Sequence, residues 1–163
     1  MLGPLQEAAV MTEFQPRSPD FRNWIRPVLG RQPFMQWLGV EVTCCDPGLV
    51  ELAIRPRPEM TQHTGDLHAG VIAGLADNAA GGAAGTLTVP EGVPVTVEYK
   101  INFLAPARGE RILARAQVLK PGRTLLIVEA RVTAENRGET SLVATMLATM
   151  TPVAVPGLKP PPG

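Results

Sequence analysis

Between Ala69 and Thr86 the chain is apolar or small at almost every position, and Asp77 is the sole ionisable side chain. A helix that is apolar around its whole circumference is a buried helix. The pattern therefore predicts one long central helix, covered on every side and ending before Pro90. At about 100° per residue, Gly70, Gly74, Asp77, Gly81 and Gly85 fall in one narrow sector, opposite Val71, Ile72 and Leu75. One face is thus nearly bare backbone with a carboxylate in its middle. An interior glycine costs about 1 kcal/mol relative to alanine, so the five glycines of this segment give up about 4–5 kcal/mol that packing has to restore.

The remaining chain alternates with period two more often than with period 3.6. Val40–Cys45 and Leu49–Ile54 read as strands joined by the turn Asp46-Pro47-Gly48, which makes a hairpin. After the helix, Val95–Phe103, Arg111–Leu119, Thr124–Thr133 and Ser141–Thr151 read as four strands in meander. Turn chemistry separates them: Ala105 to Gly109, Lys120 to Arg123, and Glu135 to Gly138. Upstream, Ser18 is placed to cap a helix with Pro19 in its first turn. Phe21, Trp24, Ile25 and Leu29 follow at helical spacing, and Pro27 is expected to kink or end the element. Gln32–Leu38 reads as a second short helix stopped by Gly39, with Phe34, Trp37 and Leu38 as its buried side. An antiparallel sheet wrapped around the central helix is the economical α+β architecture, because the helix and one face of each strand all need cover. Residues 39–153 form the domain in this reading. Residues 1–38 make an arm with two short helices, and 154–163 a disordered proline-rich tail.

Composition removes several function classes. With 163 residues, 45% of them apolar, the chain is a globular domain with a real core. Fifteen basic residues balance fifteen acidic ones, which leaves no electrostatic footprint for a nucleic acid. No apolar run is long enough to span a bilayer and the amino terminus lacks a secretory pattern, so a cytoplasmic address is expected. The two cysteines, Cys44 and Cys45, are adjacent and read as free thiols. His63 and His68 match no zinc spacing, and no metal or redox cofactor is implied. The glycine cluster Gly81 to Gly85 lies late in a helix, whereas a dinucleotide fingerprint opens one.

Chemistry concentrates at the central helix. A carboxylate on a glycine face is costly to desolvate without compensation, and such groups gather at functional sites, which makes Asp77 the candidate. With Leu67-His68-Ala69-Gly70 leading to Leu75-Ala76-Asp77-Asn78-Ala79, and Gln62 fifteen positions before Asp77, the chain resembles the hotdog-fold acyl-CoA thioesterases of the phenylacetate-degradation (PaaI-like) group over about residues 39–152. The resemblance implies a hotdog fold and hydrolysis of aryl-acetyl or medium-chain acyl-CoA. Asp77 would attack the thioester or activate water, and the N–H of Ala69, with Gly70, would form an oxyanion hole at the helix start. Gln62 would orient the thioester or water, Thr96 would position the water, and His68 would brace the turn or act on the substrate. Arg108, Lys120 and Arg123, in loops after strands, would hold coenzyme A phosphates. Where the group shows Gly-Gly after the turn histidine and often Asn at the amide position, this chain has Ala69 and Gln62. The site in such folds forms between subunits, which implies a homodimer or homotetramer with Gln62 and Asp77 from different chains. The alternatives are a hotdog dehydratase or hydratase working through His68, and a non-catalytic acyl-CoA sensor.

Overall fold

The computed structural model describes residues 14–157, 159 and 160. Most of the expected amino-terminal arm before the helices, and the last residues of the expected tail, lie outside this range. In chain order the structure contains α1 (Phe21–Arg31), α2 (Pro33–Leu38), β1 (Glu41–Asp46), β2 (Leu49–Ile54), a 3-10 turn (Pro58–Met60), α3 (Ala69–Thr88), β3 (Val93–Phe103), β4 (Arg111–Pro121), β5 (Leu126–Asn136) and β6 (Glu139–Val153). The six strands form one antiparallel sheet in the order β1-β2-β4-β5-β6-β3. Strands β4 to β6 make the expected meander. β3 does not join it on the β4 side: it crosses over α3 and pairs with β6 at the far edge. β3 takes that edge because α3 separates it from β2 and the hairpin formed by β1 and β2 occupies the other side of β4.

The helix sits on the concave face of this sheet, and small residues on both sides let it lie close. Leu75, Ala76, Ala79, Ala80, Ala83 and Ala84 have no accessible surface. Opposite them a register row runs through Val50, Ala116, Ala130 and Met146, and the next through Leu52, Ala114, Val132 and Ala144. Alanine in the middle strands flanked by larger side chains gives the sheet a groove. Gly48, in the left-handed conformation at φ 72°, turns the first hairpin. Its N–H donates to the buried Thr86 Oγ1 at 2.7 Å, and that hydroxyl donates to Ala83 O, which ties the hairpin to α3.

The face of α3 turned away from the sheet is only partly closed. Gly70, Ala73, Gly74, Asp77, Asn78 and Gly81 all keep some exposure, so the expectation of cover on every side fails for this face. The cover it has comes from α1 and α2. A Cβ at Gly82 would lie 2.8 Å from Leu29, one at Gly85 2.7 Å from Ile25, and one at Gly74 3.0 Å from Phe34. Glycine here admits neighbouring side chains to the helix backbone. Burial of Ile25 and Leu29 on either side of Pro27 also explains why α1 continues to Arg31, where the proline was expected to interrupt it. The helix begins later than expected: Asp20, not Ser18, holds the N-cap position and Pro19 precedes the helix, while the Ser18 Oγ accepts from the Asp20 N–H at 3.2 Å.

Helix α2 stops at Gly39 as expected, and that glycine is left-handed. Its buried side is Met35 and Leu38, not Phe34 and Trp37, which are 48% and 46% exposed. A six-residue helix offers the core one i, i+3 pair, and the aromatic rings instead stack on each other at 6.0 Å with the Arg57 guanidinium 5.7 Å from Trp37. Leu75 is where helix and sheet meet without exposure. Leu75→Ala should lower the unfolding free energy by about 2–5 kcal/mol through the lost side chain and the cavity left behind, read as a shift of the urea midpoint.

Candidate active site

Asp77 lies two turns into α3, half-buried, and β3 brings Thr96 to it. The Thr96 hydroxyl donates to Asp77 Oδ1 at 2.8 Å, which fixes one carboxylate oxygen. Both residues line a cavity of about 260 Å³ whose other walls are mostly apolar, Ile25, Val28 and Leu29 from α1 and Val89, Val93 and Pro94 around the start of β3, with Lys159 also in the lining. Asn78 and Gln32 stand at its rim and latch α1 to α3. Asn78 Nδ2 donates to Leu29 O at 3.2 Å, and Gln32 Nε2 donates to Asn78 Oδ1 at 3.0 Å. Neither was singled out from the sequence, although an asparagine beside the only acid of an apolar helix was a signal for one of them.

The turn that starts α3 forms a second, separate cleft. Gln62, Asp66, Ala69, Ile72, Phe103 and Ala105 line a space of about 320 Å³. His68 is the N-cap of α3, its Nδ1 accepting from the Gly70 N–H at 2.9 Å, so the Gly70 amide is already engaged. The Ala69 N–H belongs to the first helical turn, which has no carbonyl of its own helix to bond. Gln62 Nε2 donates to Thr64 Oγ1 at 3.1 Å, and Thr64 Oγ1 donates to Asp66 Oδ2 at 3.0 Å. Arg108 completes the relay, with Nε on Asp66 Oδ1 and Nη2 3.3 Å from Oδ2. Thr64 and Asp66 were missed in the sequence because single polar turn residues carry no pattern.

The eight positions from Ala69 to Asp77 are about 12 Å along a helix axis. One chain therefore brings Asp77 and Thr96 together and, apart from them, Gln62, His68, Ala69 and Gly70. The cations also divide. Arg108 stands by the Gln62 cleft, while Lys120, within the far end of β4 and not in a loop as expected, and Arg123, just past that end, lie about 30 Å away at strand rise. Neither Lys120 nor Arg123 lines either cavity. The thiols are free, and burial pushes Cys45 up to about 11 and Cys44 above its ordinary value, so both are protonated at neutral pH. No helix among the described residues is long and apolar enough to cross a membrane.

A six-stranded antiparallel sheet curled around one long helix, with a lone acid on the open helix face, is a hotdog-fold protein. Its sequence relatives lie in the same class. The family model described as Thioesterase superfamily matches residues 64–141. Human acyl-coenzyme A thioesterase 13 is 32% identical over 123 residues, covering 74% of this chain and 86% of that one. The Escherichia coli K12 medium/long-chain acyl-CoA thioesterase YigI is 31% identical over 132 residues, covering 72% and 83%. Among solved structures, a thioesterase family protein from Silicibacter pomeroyi superposes with a TM-score of 0.80 at 41% identity, covering 83% of this chain and 99% of that one. A mutant of the phenylacetic acid degradation protein PaaI from Thermus thermophilus superposes at 0.67 and 27% identity, covering 75% and 100%. The chain belongs to the thioesterase superfamily.

The Arg108 guanidinium, followed by the Thr64 hydroxyl, holds the Asp66 carboxyl below its ordinary range. A depressed carboxyl stabilises the fold above its unfolded value, about 3.9, and that contribution disappears as pH falls through the lower folded value. An NMR titration should therefore give Asp66 a midpoint below that of an ordinary aspartate, and Arg108→Ala should move it back up.

Proposed function

We propose that this protein hydrolyses acyl-CoA thioesters carrying aryl-acetyl or medium-chain acyl groups, with Asp77 as the catalytic carboxylate. The observation that carries the reading is the Thr96–Asp77 hydrogen bond in a mostly apolar cavity. Membership of the thioesterase superfamily and the names of the relatives supply the thioester. Thr96 holds Asp77 Oδ1, which leaves Oδ2 to take a proton from water or to attack the carbonyl directly. In the water route, the C–O bond forms as the proton passes to Asp77. The tetrahedral oxyanion then collapses, and coenzyme A departs as the thiol with that proton returned. Hydrolysis completes the same balance if the carboxylate attacks first and an anhydride is opened by water.

The oxyanion needs preorganised donors, and a helix amino terminus supplies both free N–H groups and favourable dipole charge. The Ala69 N–H fits that role, with Gln62 orienting the thioester and His68 holding the turn in shape by occupying the Gly70 amide. Because Ala69 lies about 12 Å along the helix from the Asp77 of its own chain, the reading takes Asp77 and Thr96 from one copy and Ala69 and Gln62 from a second. Among the described residues β3 is an edge strand with Val95, Val97 and Tyr99 exposed, which supports a dimer, as an apolar strand edge is a ready pairing surface. Pairing two dimers into a tetramer is the further step. Arg108, at the Gln62 cleft and with its side chain 70% exposed, is the cation this reading assigns to a coenzyme A phosphate. Lys120 and Arg123 could join it only from another copy.

General acid–base groups contribute about 10²–10⁴-fold. Asp77→Asn should accordingly lower kcat on phenylacetyl-CoA or octanoyl-CoA by about 100-fold or more while the melting temperature stays near that of the unaltered protein. Thr96→Val should cost less, by about tenfold, since it loses orientation and not the reacting group. Thiol release followed with a chromogenic disulfide reads both. Turnover by Asp77→Asn close to the unaltered rate would remove the assignment.

A further inference from the structure

We propose that Gly81 is the residue that decides which acyl groups this enzyme accepts, by keeping the chamber beside Asp77 empty of side chains. The inference rests on the thioesterase reading above and assigns the acyl half of its substrate. Gly81 follows Asp77 by one helical turn on the same face of α3, and it lines the cavity that Asp77 and Thr96 enter. The glycines of α3 are not equivalent. A Cβ at Gly74, Gly82 or Gly85 would press on Phe34, Leu29 or Ile25, so those positions are bare because a neighbouring side chain fills the space. At Gly81 a Cβ would meet nothing within 4 Å. Its φ lies outside the left-handed region, so its backbone does not require glycine either.

Glycine in the middle of a helix, with room for a methyl group and no conformational need, surrenders helix stability without a return inside the folded chain. Such local inconsistency marks positions kept for function. The space it leaves is a chamber and not a flat face, because this chain's own Ile25, Leu29, Val89, Val93 and Pro94 enclose it. Its lining is mostly apolar, with Gln32, Asn78 and Lys159 as the polar groups besides Asp77 and Thr96, which fits a thioester carbonyl at the acid and an apolar acyl group running past Gly81 toward α1. At about 260 Å³ the chamber is at the small end for a ligand site, which suits a compact group of phenylacetyl to octanoyl size. Val28, 44% exposed on α1, borders the same chamber from the other wall.

The test compares unaltered protein, Gly81→Ala, Gly81→Leu and Val28→Phe on acetyl-, butyryl-, octanoyl- and phenylacetyl-CoA, with melting temperature and oligomeric state measured on each. Gly81→Ala should melt about 2–4 °C higher, as expected for a helix of better propensity in a domain of this size. The ratio of kcat/KM for octanoyl-CoA to that for acetyl-CoA should fall at least tenfold in Gly81→Leu, chiefly through KM, and move in the same direction in Gly81→Ala and Val28→Phe. A ratio that stays fixed while all four substrates are turned over overturns the inference and leaves the thioesterase reading standing. So does a Gly81→Leu protein whose oligomer falls apart, since the space would then belong to a second copy. An unaltered protein that turns over none of the four removes the reading on which the inference rests.

Discussion

A sheet, however curved, can cover a helix from one side only, and α3 carries apolar or small residues around its entire circumference. Everything else in the molecule answers to that constraint. The concave sheet takes the alanine and leucine side through rows of small residues in its middle strands. The opposite side needs other cover, and α1 and α2 supply part of it by laying Ile25, Leu29 and Phe34 directly on glycine backbone. What they leave open is the stretch around Asp77 and Gly81. The chamber is therefore a product of how a helix is buried, and its acid stands where burial is incomplete.

The same geometry orders the chemistry along the helix. The amino terminus of α3 presents the Ala69 amide and is held by a relay from Gln62 through Thr64 and Asp66 to Arg108, with His68 as the cap. Two turns later comes the carboxylate, steadied by Thr96 from the edge strand. Each end is stiff, and neither can reach the other within one chain. In the function proposed here, a second copy brings the complementary end, so that the catalytic unit is larger than the folding unit.

The elements of the fold were legible because their signals are local. The period of two in each strand, the Asp46-Pro47-Gly48 turn, and the glycine stop at Gly39 each depend on a few neighbouring residues. Strand order was not legible in the same way. Whether β3 pairs with β4 or with β6 depends on which edge remains after the β1–β2 hairpin has docked, and no short stretch encodes it. Phe34 and Trp37 misled because an aromatic residue in a short helix reads as core, whereas the rings stack on each other at the surface. The acid at the site could be seen as a lone charge among glycines. Its partner Thr96 came only from the resemblance, since a threonine in a strand is ordinary. The Thr64–Asp66–Arg108 relay joins residues on either side of α3 and β3, and such pairings emerge only when the chain is folded.

If Asp77 of one copy acts with the Ala69 and Gln62 end of another, subunit mixing reveals it most directly. Asp77→Ala and Gln62→Ala proteins, each impaired on its own, would be unfolded together, refolded as a mixture and assayed on an acyl-CoA. A hybrid dimer has one site carrying both substitutions and one carrying neither. A shared site predicts that activity returns well above the sum of the two parents, toward about a quarter of the unaltered rate for random pairing. A mixture that stays at the sum of its parents, with hybrid dimers demonstrably formed, would mean that each chain works alone and would contradict the shared site.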